Sequence, residues 1–181
     1  MIASSLLEQF KSDVEIVDVR RDRIGGDNIR GTVRDFNNEF ILLNSLNDVY
    51  QPNGITVLRI DDITQIKWGM IRDVFHADTI RDIITGNMHY SGIIISSFRD
   101  IMMSVFNKTR VCTVYCESLD NNICYPVSGT GFMHDGVVIL SYINTDGYRD
   151  GNIAISIEDI TRIDAFDQYS NYIGSLYSPI E

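Results

Sequence analysis

Apolar and polar residues alternate in several short runs of this chain, and the order of the runs occurs twice. Thr56, Leu58 and Ile60 share one side of an extended segment with Arg59 opposite, and Ile153, Ile155 and Ile157 repeat that face with Ser156 opposite. Before each lies an uninterrupted apolar run, Phe40-Ile-Leu-Leu43 and Val137-Val-Ile-Leu140, read as a buried strand. First strands are predicted over 14–19 and 111–116, closed by the turn formers Gly25-Gly26-Asp27-Asn28 and Asp120-Asn121-Asn122. The second strands contain Gly31 and Gly129, where a missing side chain permits a strong bend. Asn53-Gly54 and Asp150-Gly151 supply the positive φ of a hairpin turn ahead of the fourth strand. Asp61-Asp62-Ile63 and Glu158-Asp159-Ile160 predict a single 3-10 turn started by an Asp cap, with Asp62 and Asp159 as its turn residues. Fifth strands follow over 64–68 and 161–165. Each series opens with a helix: Ser5 and Glu8 form a capping-box spacing before Phe10, and Ser97 with Asp100 repeats it before 101–106.

The two series keep one spacing. Val57-Leu-Arg-Ile-Asp-Asp-Ile-Thr-Gln-Ile66 returns as Ala154-Ile-Ser-Ile-Glu-Asp-Ile-Thr-Arg-Ile163, an offset of 97 residues. At that offset Leu43 falls on Leu140, Asn47 on Asn144 and Gly54 on Gly151, and only the stretch around Gly31 and Gly129 needs a one-residue adjustment. A tandem duplication follows from this agreement. The expected organisation is a helix and barrel over 1–68, a mainly helical connector over 69–95, a second helix and barrel over 96–168, and a Tyr-rich tail over 169–181. In the connector, Asp78 is a suitable N-cap for 79–85 and Gly86-Asn87 a suitable stop. Tyr169, Tyr172 and Tyr177 make the tail an aromatic strap for its own domain.

Five short strands behind a helix, centred on Gly31-Thr-Val-Arg-Asp-Phe-Asn-Asn-Glu-Phe-Ile-Leu-Leu43, resemble the Sm-like family of SH3-like small barrels. The resemblance implies a mainly β fold with helices (α+β), built as two five-stranded barrels joined by a helical connector. The spacing of Gly31, Val33, Phe36 and Asn37 fits the first signature of that family, but its usual RNA-contacting Asn falls on Ile41. The second signature, an Arg-Gly pair, finds Arg59-Ile60 in one copy and Ser156 in the other. The scaffold is retained and the RNA-reading residues mostly are not. In this family the fourth strand of one barrel pairs with the fifth of the next, so the implied partner is a protein or a further copy of the chain. A proline at Thr64 or Thr161 is then expected to break such an association.

With 181 residues and 44% apolar content, the chain is large enough for two small cores without metals or disulfides. No apolar run reaches membrane-spanning length, the start lacks a secretory pattern, and three closely spaced cysteines do not make a disulfide framework, so a cytoplasmic protein is expected. A net charge of −10 opposes polyphosphate binding. The one basic concentration, Arg20, Arg21, Arg23, Arg30 and Arg34, is interleaved with Asp18, Asp22 and Asp27; a salt-bridged face is the plainer reading, and RNA or anion contact through these arginines the alternative function.

Candidate chemistry is sparse. Cys112, Cys116 and Cys124 with His134 invite a zinc reading, but on a strand Cys112 and Cys116 stand about 13 Å apart, too far for one ion. His134-Asp135-Gly136 lies where the first copy has Asn37-Asn38-Glu39, a polar hairpin in both, and His76 and His89 have no nucleophile beside them. The acidic pairs Asp61-Asp62 and Glu158-Asp159 are read as turn caps. No catalytic, cofactor or metal residue is therefore assigned, and the expected function is a non-enzymatic module for protein interaction or self-assembly, with a hydrolase or metal enzyme as a distant third reading.

Overall fold

A computed structural model describes residues 3–69, 90–120 and 122–177. The chain is mainly β with helices and divides into two units, Met1–Ser91 and Gly92–Glu181. The helix expected over 79–85, with its cap and stop, lies outside the described residues.

In the first unit, α1 (Ser4–Asp13) precedes β1 (Ile16–Arg21), β2 (Gly26–Phe36), β3 (Phe40–Leu46), β4 (Pro52–Arg59) and β5 (Gln65–Trp68). All pairings are antiparallel and the strand order is β5-β1-β2-β3-β4, a meander whose last strand returns beside the first. The second unit repeats this with α2 (Phe98–Phe106), β6 (Cys112–Tyr115), β7 (Cys124–His134), β8 (Val137–Ile143), β9 (Arg149–Ser156) and β10 (Arg162–Ala165), in the order β10-β6-β7-β8-β9, and adds α3 (Gln168–Leu176). The bounds of β8, β9, the 3-10 turn Ile157–Asp159 and β10 are those of β3, β4, the turn Ile60–Asp62 and β5 moved by 97 residues.

Inward-facing apolar residues make each core. In the first unit Val17 and Val19 of β1, Ile41 and Leu43 of β3 and Leu58 of β4 close over Leu7 and Phe10 of α1. Each fully buried aliphatic side chain of this kind contributes about 1.5–3 kcal/mol. Gly31 is glycine because β3 crosses close to it: a Cβ there would stand 2.3 Å from the Asn44 carbonyl oxygen. Gly129 answers a different demand, a positive φ of 77° inside the irregular stretch of β7 between Ser128 and Phe132.

A threonine latch seats the returning strand in both units. Thr64 N donates to Arg20 O (2.8 Å), and its hydroxyl lies 3.0 Å from Asp22 Oδ2 while accepting from Asp22 N (3.1 Å). Thr161 N donates to Tyr115 O (3.0 Å), its hydroxyl to Glu117 Oε2 (2.8 Å), and it accepts from Glu117 N (3.1 Å).

Several local expectations are corrected. Helix α1 starts at Ser4 on Ala3 with no side-chain cap, so Ser5 and Glu8 do not form the expected box, whereas Ser97 does accept from Asp100 N (3.1 Å) in front of α2. The 3-10 turns begin at Ile60 and Ile157 and neither has a side-chain cap hydrogen bond; Asp62 and Asp159 are their last residues, and the turns are tied instead by Ile60 N to Glu39 O and Ile157 N to Gly136 O, both 2.8 Å. Gly54 and Gly151, with φ of 77° and 86°, do not make the hairpin turn: they lie inside β4 and β9, beside the register shifts between Asn44 and Leu46 and between Ser141 and Ile143. The turn is built by Asn47 and Asn144. Asn47 Oδ1 accepts from Val49 N (3.1 Å) and Gln51 N (2.9 Å), and Asn144 Oδ1 from Asp146 N (3.1 Å) and Tyr148 N (3.0 Å). Residues 92–95, placed in the connector by sequence, fall in the second unit, where Ile94 N donates to the Ser104 hydroxyl (3.0 Å). The C-terminal strap is a helix, with Tyr169 and Tyr177 packed on Val111, Ile143 and Ile173.

Because the two asparagines do the same work, Asn47→Ala and Asn144→Ala are each expected to cost about 1 kcal/mol, with Asp at either position retaining most of the stability. Urea unfolding of the four single variants measures this, and a cost at one position alone would show that the turns are not equivalent.

Candidate functional site

The arginines grouped by sequence on the first hairpin do not form one cationic surface. Arg21 is fully buried, and its guanidinium lies so close against Gly26 that a Cβ there would be 2.9 Å from Nη2, which donates to Asp27 O (3.1 Å). Arg30 grips Asp18 with two hydrogen bonds, 3.0 and 3.3 Å, and stacks over Tyr50, 4.5 Å from the ring centroid. The Asp18 hydrogen bond raises the Arg30 pKa despite partial burial. Arg34 donates to Asn44 Oδ1 (3.3 Å), and burial lowers its pKa. Arg23 is exposed and Arg20 half-buried. Interleaved aspartates gave the salt-bridge reading its force, and the Arg30 pair follows it; the complete burial of Arg21 has no signal in the sequence.

The thiols are separated by the register of β6 and β7. Cys112 stands opposite Val127 and Cys124 opposite Tyr115, so Cys124 leaves the sheet on the other face from Cys112. Burial raises the pKa of all three cysteines, that of Cys116 to about 11, which disfavours the thiolate needed by a nucleophile or a zinc ligand. Among the described residues no group of three or more His, Cys, Asp or Glu side chains could hold a metal ion. His134 ends β7 at the two-residue turn Asp135-Gly136, where both residues have positive φ, and its Nδ1 is 2.9 Å from Asp135 Oδ2 at a solvent-exposed tip. His76 and His89 lie outside the described residues.

Sequence reading did not find a dense polar cluster at the junction of β6 and β10. Arg162 lies over the Tyr115 ring (4.3 Å to the centroid), pairs with Asp164, and stands 3.7 Å from Glu117; the two carboxylate side chains are 5% and 2% exposed. Burial opposes the charge on Arg162, and Asp164 outweighs it, so the pKa is raised. One guanidinium between two buried carboxylates is a structural tie whose members are strongly coupled. Thr161-Arg-Ile-Asp164 alternates like a strand with one wet face, and nothing in that pattern reveals that α3 packs beside β10. Asp167, the N-cap of α3, accepts from Tyr169 N (3.1 Å) and Ser170 N (3.3 Å). Burial is the largest influence on its carboxyl and raises the pKa, with Ser170 acting against it and Asp164 with it.

The chain matches no family model, no curated protein and no solved structure.

Two outcomes are expected. A carboxyl whose folded pKa lies above its unfolded value of about 4 supports the fold most below that value and loses this support as pH rises through the folded pKa. Asp167→Asn keeps the acceptor without the charge, so it should gain stability relative to the parent between about pH 3.5 and pH 7; urea midpoints at the two pH values test this, and a relative loss at the higher pH would mean that the helix N-terminus favours the charge. Binding of generic single-stranded RNA should be weak at physiological salt. Submicromolar affinity that falls steeply with salt and disappears in Arg20→Ala/Arg23→Ala, read by fluorescence anisotropy, would establish the RNA function instead.

Proposed function

We propose that this chain is a non-enzymatic assembly module made of two Sm-like small barrels, which associates with further copies of itself, or with a protein partner, through edge strands. The observation that carries this reading is one-sided pairing. Among the described residues β5 is hydrogen-bonded only to β1, and β9 only to β8. Such edges present unpaired N–H and C=O groups, and neither strand contains the proline that commonly guards one. Pairing of β9 with the β5 of another copy joins two different strands, a heterologous contact that gives a closed ring or an open chain of subunits.

Connection length supports the barrel. In a flat sheet β4 and β5, four strand spacings apart, would be separated by about 19 Å. The five residues between Arg59 and Gln65, three of them in a 3-10 turn, span less than this, so the sheet must curl. No helix among the described residues is long and apolar enough to cross a membrane. A cytoplasmic setting is part of the proposal, in keeping with three free cysteines.

A proline at Thr64 or Thr161 is not the right test, because both N–H groups are used inside their own units. Ile157 N donates to Gly136 O; counting back by twos along the antiparallel ladder, Ile155 and Ile153 face β8 and the N–H of Ala154 points away. Light scattering on the full chain should give a multiple of 20.6 kDa, and Ala154→Pro should reduce it to the monomer with the circular dichroism unchanged. A monomeric parent protein would end the assembly reading.

A further inference from the structure

The outer face of β7, β8 and β9 is apolar and exposed. Phe132 stands opposite Ile139 and Ile139 opposite Ala154, while His134 stands opposite Val137 and Val137 opposite Ser156, so these six side chains share one face. Their neighbours Val138, Leu140 and Ile155 fill the core on the other side. Phe132 is 63% exposed, Ile139 41% and Val137 37%, and the His134 ring stacks on Phe132 with 6.3 Å between centroids. At the matching positions of the first unit, Phe40, Leu42 and Val57 are buried. The same sheet face is thus a burying face in one copy and is left open in the other.

The charge around it selects the occupant. Between residues 124 and 160 the carboxylates are Asp135, Asp146, Asp150, Glu158 and Asp159, and Arg149 is the one Lys or Arg. Arg149 donates to Asn152 Oδ1 (3.0 Å). Asp135 is in the β7–β8 turn and Glu158 follows Ser156, so both stand at the His134 end of the patch; Asp150 is toward the other end of β9. A second copy laid face to face would bring these carboxylates against their own kind, in a chain that already carries −10.

We propose that this face is a docking site for a basic segment of another protein whose cationic residues alternate with large apolar ones. Its apolar side chains cover Phe132, Val137 and Ile139, and its Lys or Arg residues meet Asp135, Glu158 and Asp150. The site is distinct from the outward edge of β9, so it does not depend on the assembly reading.

The probe is a fluorescein-labelled nine-residue peptide of alternating Lys and Leu, with a Glu and Leu peptide as control, titrated by polarisation against the full chain. The Lys peptide should bind at least tenfold more tightly than the Glu peptide. Phe132→Ser/Ile139→Ser, which changes solvent-facing positions only, should weaken it about tenfold with no change in net charge. Asp135→Lys/Glu158→Lys keeps the apolar patch and should reverse the preference toward the Glu peptide. Affinity unchanged in the Ser double variant would reduce the binding to general charge attraction and overturn the proposal. A fall in native mass in that variant would also overturn it, by showing that a second copy covers the face.

Discussion

The hydroxyl of Thr64 joins three places in the first unit: the carbonyl of Arg20 at the end of β1, the backbone of Asp22 beyond it, and the start of β5. Thr161 does the same in the second unit with Tyr115 and Glu117. Without this tie the last strand would have only four residues of ladder to hold it against β1 or β6, toward the short end of the usual range. Everything downstream of the tie depends on its position. It fixes where the meander turns back on itself.

The positions of β3, β4 and β5 could be read from the chain because β3 is an uninterrupted apolar run, β4 carries an alternating stretch, and their spacing recurs. Turn chemistry was less legible. Asn53-Gly54 has the composition of a tight hairpin, yet the loop residues just before it contain an asparagine whose side chain can reach two amides, and that geometry prevailed. The glycine then served the bulge. Burial of charge was not legible at all: Arg21 sits in a string of charged residues and Arg162 in a stretch with nearby carboxylates, both of which look solvated, and only tertiary packing removes water from them. The exposed face of β8 was hidden by the opposite error, since Val137-Val-Ile-Leu140 has the uniform apolarity of a strand covered on both sides.

The two units use one backbone plan for different electrostatic ends. Asp18 and Arg30 pair at a partly hydrated surface, where the gain from such a contact is modest. At the junction of β6 and β10 the charges are drawn inside, and each is held in place by the loss that would follow if its partner left. A pair of the first kind tolerates substitution. The second kind constrains the sequence around it.

The turns built by Asn47 and Asn144 also bear on how the chain reaches its native state. Each joins two strands that are adjacent in sequence across a five-residue loop, so the β3–β4 and β8–β9 hairpins close locally and can form within microseconds, before the distant return of β5 or β10. Two hairpins of the same length and turn geometry on one polypeptide are, however, exchangeable in outline. A strand from one could dock against the other while both are still searching, as neighbouring domains of like sequence do when they misassemble. Local turns that close early reduce the time in which β3 and β8 are available to the wrong partner. The asparagine turns thereby favour the correct partner for each strand in a chain that carries two units of the same strand order.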